Sequence, residues 1–193
     1  MCHLSLPLLV VGLCGRARHG KDVVAAVMAK QFRSHGMRCF PCSVSMVIHE
    51  AAVLDGAIKS AKRSECSPEE IQALVRFGNA GREQDENFWV DRLLEKILAQ
   101  KTDVALITGI RFPNEGKWVG TLNGVLARIR RLNSDGSEFI SRDRDPNDIT
   151  ETAHYHLLAN YELVAMTGQD EWLRSQAQNL TSHLLRRIDG GQE

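Results

Sequence analysis

The stretch "GLCGRARHGKDVVAAV" (12–27) nearly completes the pattern Gly-x-x-x-x-Gly-Lys-Ser/Thr and departs from it at the last position. Gly15, Gly20 and Lys21 fit, Asp22 stands where a hydroxyl is expected, and Val23 follows. Glycine belongs where a backbone must turn left-handed and come close to a phosphate. Successive amides of such a loop hold phosphate oxygens, and the helix N-terminus behind them adds a positive partial charge. Lys21 supplies the point charge for the β- and γ-phosphates. The flanks agree with this. "LPLLVVGL" (6–13) reads as a strand buried on both faces, and residues 21–34 read as a helix with Val24, Val27, Met28 and Phe32 on one side. Gly15, Arg16, Ala17, Arg18, His19, Gly20, Lys21, Asp22 and Val23 are therefore expected to cradle nucleotide phosphates.

Working outward, strands and helices alternate. "RCFPCSV" (38–44) is a second strand, weakened by Pro41. A helical segment is expected over about 46–62. Ser67, Pro68 and Glu70 form a capping box that opens a helix running to about Gly78. Residues 88–100 form another, with Phe88, Trp89, Leu93 and Ile97 inward. "DVALIT" (103–108) and 124–129 read as strands around a short helix at 114–122. Residues 132–150 are polar and turn-rich and read as a long loop. "YELVAM" (161–166) is the last strand, and 171–188 the closing helix. This alternation implies parallel β-α-β units in a three-layer α/β fold.

The chain of 193 residues suits a single domain, and its 24 basic and 24 acidic residues cancel. Such a balance argues against a nucleic-acid polymer or a membrane surface as partner. No apolar run is long enough to cross a bilayer, and the apolar start reads as a strand rather than a signal peptide. Five scattered cysteines suit a reducing cytoplasm. Cys39 and Cys42 form a C-x-x-C inside an apolar strand with no second pair, so they read as core residues rather than a redox or zinc motif.

Four ordered segments carry a resemblance. The loop at 12–25 resembles that of bacteriophage deoxynucleoside monophosphate kinases, which is close to G-x-x-x-S-G-K-D-T. "GNAGREQDENFWVDRL" (78–93), "ALITGIRFPNE" (105–115) and "TETAHYHLLANYELV" (150–164) resemble that family's later segments in the same order. The resemblance spans 8–185. It implies a P-loop NTPase three-layer sandwich with a parallel sheet, a helical acceptor-binding part at about 45–100 and a lid at about 132–150. It also implies ATP and Mg2+ as cofactors, a nucleoside monophosphate as substrate, and the cytoplasm as location (the host's, if phage-encoded). A homodimer is left open.

Site residues follow from the same likeness. Lys21 would hold ATP, Arg82 the acceptor phosphate, and Arg111, just past a strand end, the acceptor or the transferring group. Trp89 offers a base-stacking ring or a core residue. Arg142 and Arg144 offer lid cations or a charged surface loop. Asp22 fits the family and offers either a magnesium ligand or a helix-dipole partner. Val23 and His19 depart from the usual Thr and Ser. Gly109 stands where a second acid usually ends the third strand, and Glu115 is a substitute acid or merely a helix-start residue. Two alternatives remain: another small-molecule kinase with a G-K-D loop, as in phosphomevalonate kinases, or a nucleotide-binding protein without transferase activity.

Overall fold

The computed structural model describes residues 7–142 and 145–190. Five strands form one parallel sheet: β1 (Leu9–Cys14), β2 (Cys39–Ser43), β3 (Val104–Ile110), β4 (Val125–Leu132) and β5 (Tyr161–Met166), in the order β2-β3-β1-β4-β5. β1 pairs with β3 on one side and β4 on the other. Both neighbours follow it in the chain, so the C-terminal end of β1 lies at the point where the connections diverge. A ligand crevice opens at such a point in open α/β sheets.

Alternating side chains build one core on each face. Val11 and Leu13 point to the layer formed by α1 (Lys21–Ser34) and the closing helix, whose Val24, Met28, Phe32, Leu173 and Leu184 bury against them. Val10 and Cys14 point to the opposite layer, with α2 (Val44–Leu54), α3 (Pro68–Gln84), α4 (Phe88–Ala99) and α5 (Pro113–Thr121). After β4 the chain forms a short helix, α6 (Ile149–Thr152), and a 3-10 turn (Ala153–His156), and it ends in α7 (Asp170–Gly190). Among the described residues, no helix is long and apolar enough to cross a membrane.

Several boundaries differ from expectation. α2 ends at Leu54 and not near Lys62, because Asp55 caps it and Gly56 turns left-handed. The following loop is pinned by Glu70, whose carboxylate accepts the amides of Lys59, Ser60 and Ser67. α3 does not stop at Gly78 but runs on to Gln84. Its glycines are packing positions: the Trp89 indole lies against Gly81 and donates to the Gly78 carbonyl at 2.8 Å. Pro41 is accommodated because β2 is an edge strand. Cys39 and Cys42 are buried free thiols, as expected, and burial pushes them up to about 11 and about 12.

Candidate active site

The loop between β1 and α1 turns on residues with positive φ: Gly15 at 133°, Arg18 at 60° and Gly20 at 96°. At Gly15 a side chain is excluded twice over, by its φ and by the Ile129 carbonyl oxygen, into which a Cβ would run. Lys21 Nζ lies back across the loop and donates to the carbonyls of Gly15 (2.8 Å) and Arg16 (2.6 Å). Burial, helped by the nearby Arg111 charge, lowers the Lys21 pKa to about 8. The loop thus holds a cation that the fold has partly stripped of water, a condition an arriving phosphate would relieve.

Arg16 and His19 are tied to segments outside the loop, and Arg18 is exposed. Arg16 is buried; its Nε donates to the Tyr155 hydroxyl at 2.9 Å and lies 3.4 Å from Glu138, and its Nη1 donates to the Pro146 carbonyl. His19 is fully buried between two carbonyls, Ile129 at 3.2 Å and Phe139 at 2.8 Å, and burial lowers its pKa. A neutral imidazole has one N–H, so it donates to one of these at a time. The His19 side chain is therefore an anchor tying the loop to β4 and the segment beyond it, and its backbone N–H donates to the Arg16 carbonyl. Ala17 offers its amide, which is occupied: the N–H donates to Glu151 Oε2 at 2.9 Å. Val23 is half-buried and brings no polar atom. Asp22 is exposed in the first turn of α1, on a cavity of about 490 Å³ that Ser43, Met46 and Thr108 also line.

A line of alternating charge leads away from the loop. β3 carries a bulge at Gly109, where the register with β1 shifts, and ends at Ile110. Arg111 follows; its Nη1 lies 3.3 Å from Glu151 Oε1 and also donates to the Thr150 carbonyl. Glu115 is 3% exposed, accepts the amides of Arg111 (2.7 Å) and Phe112 (3.2 Å), and lies 3.7 Å from Arg82 Nη2. Burial raises its pKa, against the pull of those amides and of Arg82 and Arg111. Arg82 stacks over the Phe112 ring at 4.7 Å, and burial and Arg111 lower its pKa. The order is Arg82, Glu115, Arg111, Glu151, and then the Ala17 amide.

Three expectations change here. Arg82 does not sit in a loop between helices but on the last turn of α3, held toward Arg111 by their shared neighbour Glu115. Glu115 is not a free acid for metal or substrate; it caps α5, pairs with the Arg82 guanidinium and accepts the Arg111 backbone amide. Trp89 cannot stack a base, because its ring is 3% exposed and enclosed by Phe77, Phe88 and Gly81.

The expected lid is not an open loop over its whole length. β4 extends to Leu132, which bridges Glu138, and Glu138 and Phe139 are fastened to Arg16 and His19. Arg142 is exposed; Arg144 lies outside the described residues. Asn160 turns out to be structural: its backbone N–H and side-chain oxygen pair with the Leu126 backbone. Sequence reasoning gave no role to Glu151, Glu138 or Tyr155. The resemblance of "TETAHYHLLANYELV" (150–164) was the one available signal for Glu151, since its partners lie 40 and 134 residues away.

The donor set suits a triphosphate: a turned glycine loop and Lys21, beside the Ala17 amide, which donates to the Glu151 carboxylate. For Mg2+, which keeps most of its waters, Asp22 and Thr108 line one cavity. Among the described residues, no group of three or more His, Cys, Asp or Glu side chains is arranged to hold a metal.

No protein-family model and no curated protein matches this chain. Among solved structures it is similar to a mutant of the Mycobacterium tuberculosis APS kinase, at 12% identity and a TM-score of 0.46, over 93% of this chain and 99% of that one. It is also similar to a Chloroflexus aurantiacus protein, at 14% identity and a TM-score of 0.45, over 93% and 97%. Likeness at this level says nothing of substrate or reaction.

Proposed function

We propose that this chain is a P-loop phosphotransferase that passes the terminal phosphoryl group of ATP to a deoxynucleoside monophosphate. The observation that carries the reading is the continuous charge line from Arg82 through Glu115, Arg111 and Glu151 to the Ala17 amide. It joins a donor-phosphate loop to two arginines drawn from separate elements. One phosphate-binding loop would suffice to bind a nucleotide. Two more cations beside it suit a second anionic substrate, and an acceptor monophosphate carries close to two negative charges.

In this reading Lys21 and the loop amides bind and orient the ATP phosphates. Arg82 holds the acceptor phosphate, and Arg111 faces the group in transfer. No protein nucleophile is needed, since positioning and charge neutralisation carry such reactions. Asp22, which lines the same cavity as Thr108, would hold Mg2+ through water. The chemistry such an ion would supply there is neutralisation of charge on the phosphates.

A binding protein without transfer activity is the second reading, and Gly109 favours it, because the end of β3 carries no acid beside the loop. One coupled assay of ADP production across the four deoxynucleoside monophosphates separates the two. Mg2+-dependent ADP formation with at least one of them is expected. ATP binding that a chelator does not weaken, with no transfer to any monophosphate, would leave the second reading.

A further inference from the structure

Glu151 is 2% exposed and stands on α6, which Asp148 starts by accepting the Thr150 amide at 2.7 Å. Its two oxygens serve two different parts of the site. Oε2 takes the Ala17 amide of the phosphate loop at 2.9 Å, and Oε1 faces Arg111 Nη1 at 3.3 Å. We propose that Glu151 is a positioning residue that locks the Arg111 guanidinium to the phosphate loop, so that donor and acceptor sides keep one separation. This rests on the phosphotransferase reading above.

Three cations, Lys21, Arg82 and Arg111, converge here, and the Arg111 charge acts on both of the others. Left alone, like charges of this kind push long side chains apart into water. Glu115 and Glu151 alternate with them and hold them together. Glu115 fixes the Arg111 backbone through its amide, whereas Glu151 and the Thr150 carbonyl fix the guanidinium itself. Arg111 is 28% exposed on its side chain and Glu151 only 3%, so the carboxylate is the rigid member of the pair. A displacement of about 1 Å at such a group can lower a rate by about a hundredfold.

Glu151→Gln keeps an oxygen for the Ala17 amide and removes the charge from Arg111. We expect its kcat per folded molecule to fall by about tenfold or more, while ATP affinity by calorimetry stays within about twofold. In an Arg111→Ala background, the same substitution should change kcat by less than about twofold, because the residue it positions is gone. A second readout needs no turnover: in Arg111→Ala alone, hydrogen exchange at the Ala17 amide should speed up, since Glu151 has lost its other anchor. Unchanged kcat in Glu151→Gln, an equal loss in both backgrounds, or unchanged Ala17 exchange would each overturn the proposal. A purely structural Glu151 would lower the melting temperature and leave turnover per folded molecule intact. If the wild type transfers to no monophosphate, the phosphotransferase reading fails, and Ala17 exchange still decides whether Glu151 couples the two parts. Should Glu151→Gln not fold, the exchange measurement on Arg111→Ala stands by itself.

Discussion

Lys21 is the residue whose chemistry the fold changes most usefully. With its pKa lowered to about 8, it begins to lose its proton just above neutrality in the free protein. ATP affinity should be level below about pH 8 and fall above it, as titration calorimetry across that range would record; a flat profile would mean Nζ does not meet the phosphates. Lys21→Ala should abolish transfer and leave the far-ultraviolet spectrum unchanged, because the Nζ partners are loop carbonyls and not core groups. Arg82→Ala should weaken use of the monophosphate by about one to two decades, the worth of a charge-assisted contact of roughly 1.5–3 kcal/mol. ATP binding should barely move, and an equal loss for both substrates would make Arg82 structural. Asp22→Asn should raise the Mg2+ concentration needed for half-maximal rate, because an amide offers only a dipole to the cation. If Asp22 serves only the helix dipole, the requirement will not change.

At the scale of elements, the junction of α3 and α4 decides where Arg82 points. Gly81 precedes it and lies under the Trp89 indole, and a Cβ there would approach the ring to 2.6 Å. The tryptophan is held by its bond to Gly78 and by Phe77 and Phe88, so it has little room to yield. Gly81→Ala should therefore destabilise the protein by about 1–3 kcal/mol in urea melts, despite alanine's better helix propensity. A neutral or stabilising effect would mean that the α3–α4 packing is looser than described. β4 and the segment after it form a second junction, through which His19, Arg16 and Glu138 fix the β1–α1 loop.

At the scale of the molecule, the two cores leave a few polar groups enclosed. His154 is 1% exposed, and burial lowers its pKa to about 4. Unfolded, it titrates near 6.5, so between those values the unfolded chain binds a proton that the folded chain does not. Stability from this group is full above about pH 6.5 and is lost as pH falls toward 4, by no more than roughly 3 kcal/mol. His19, also buried and lowered, acts in the same direction. Between pH 6.5 and 5, the melting temperature of the wild type should drop more steeply than that of His154→Phe. Parallel slopes would show that His154 has access to water in the folded state.

Much of this was legible in local sequence. The turned glycines and Lys21 mark the loop, runs such as "VALIT" mark strands buried on both faces, and Ser67-Pro68 with Glu70 marks the start of α3. Each is set by neighbours within a few residues, through backbone sterics, period and capping, so the order of strands and helices could be read directly. The span of α3 could not, because Gly78 and Gly81 look like stops until Trp89 is seen packed on them. The roles of Trp89 and Glu115 depended likewise on what encloses them: a ring is a stacking platform or core, and a carboxylate a ligand or a cap, according to its burial and partners. Glu151 is the extreme case. Its contacts with Ala17 and Arg111 reach back over 134 and 40 residues, and only the pairing of β4 beside β1 brings a carboxylate from the segment after β4 onto a loop after β1. Local rules determined where the elements and the glycine-rich loop lie; the tertiary structure decided which charges meet, because charge pairing depends on distance in space and not on separation along the chain.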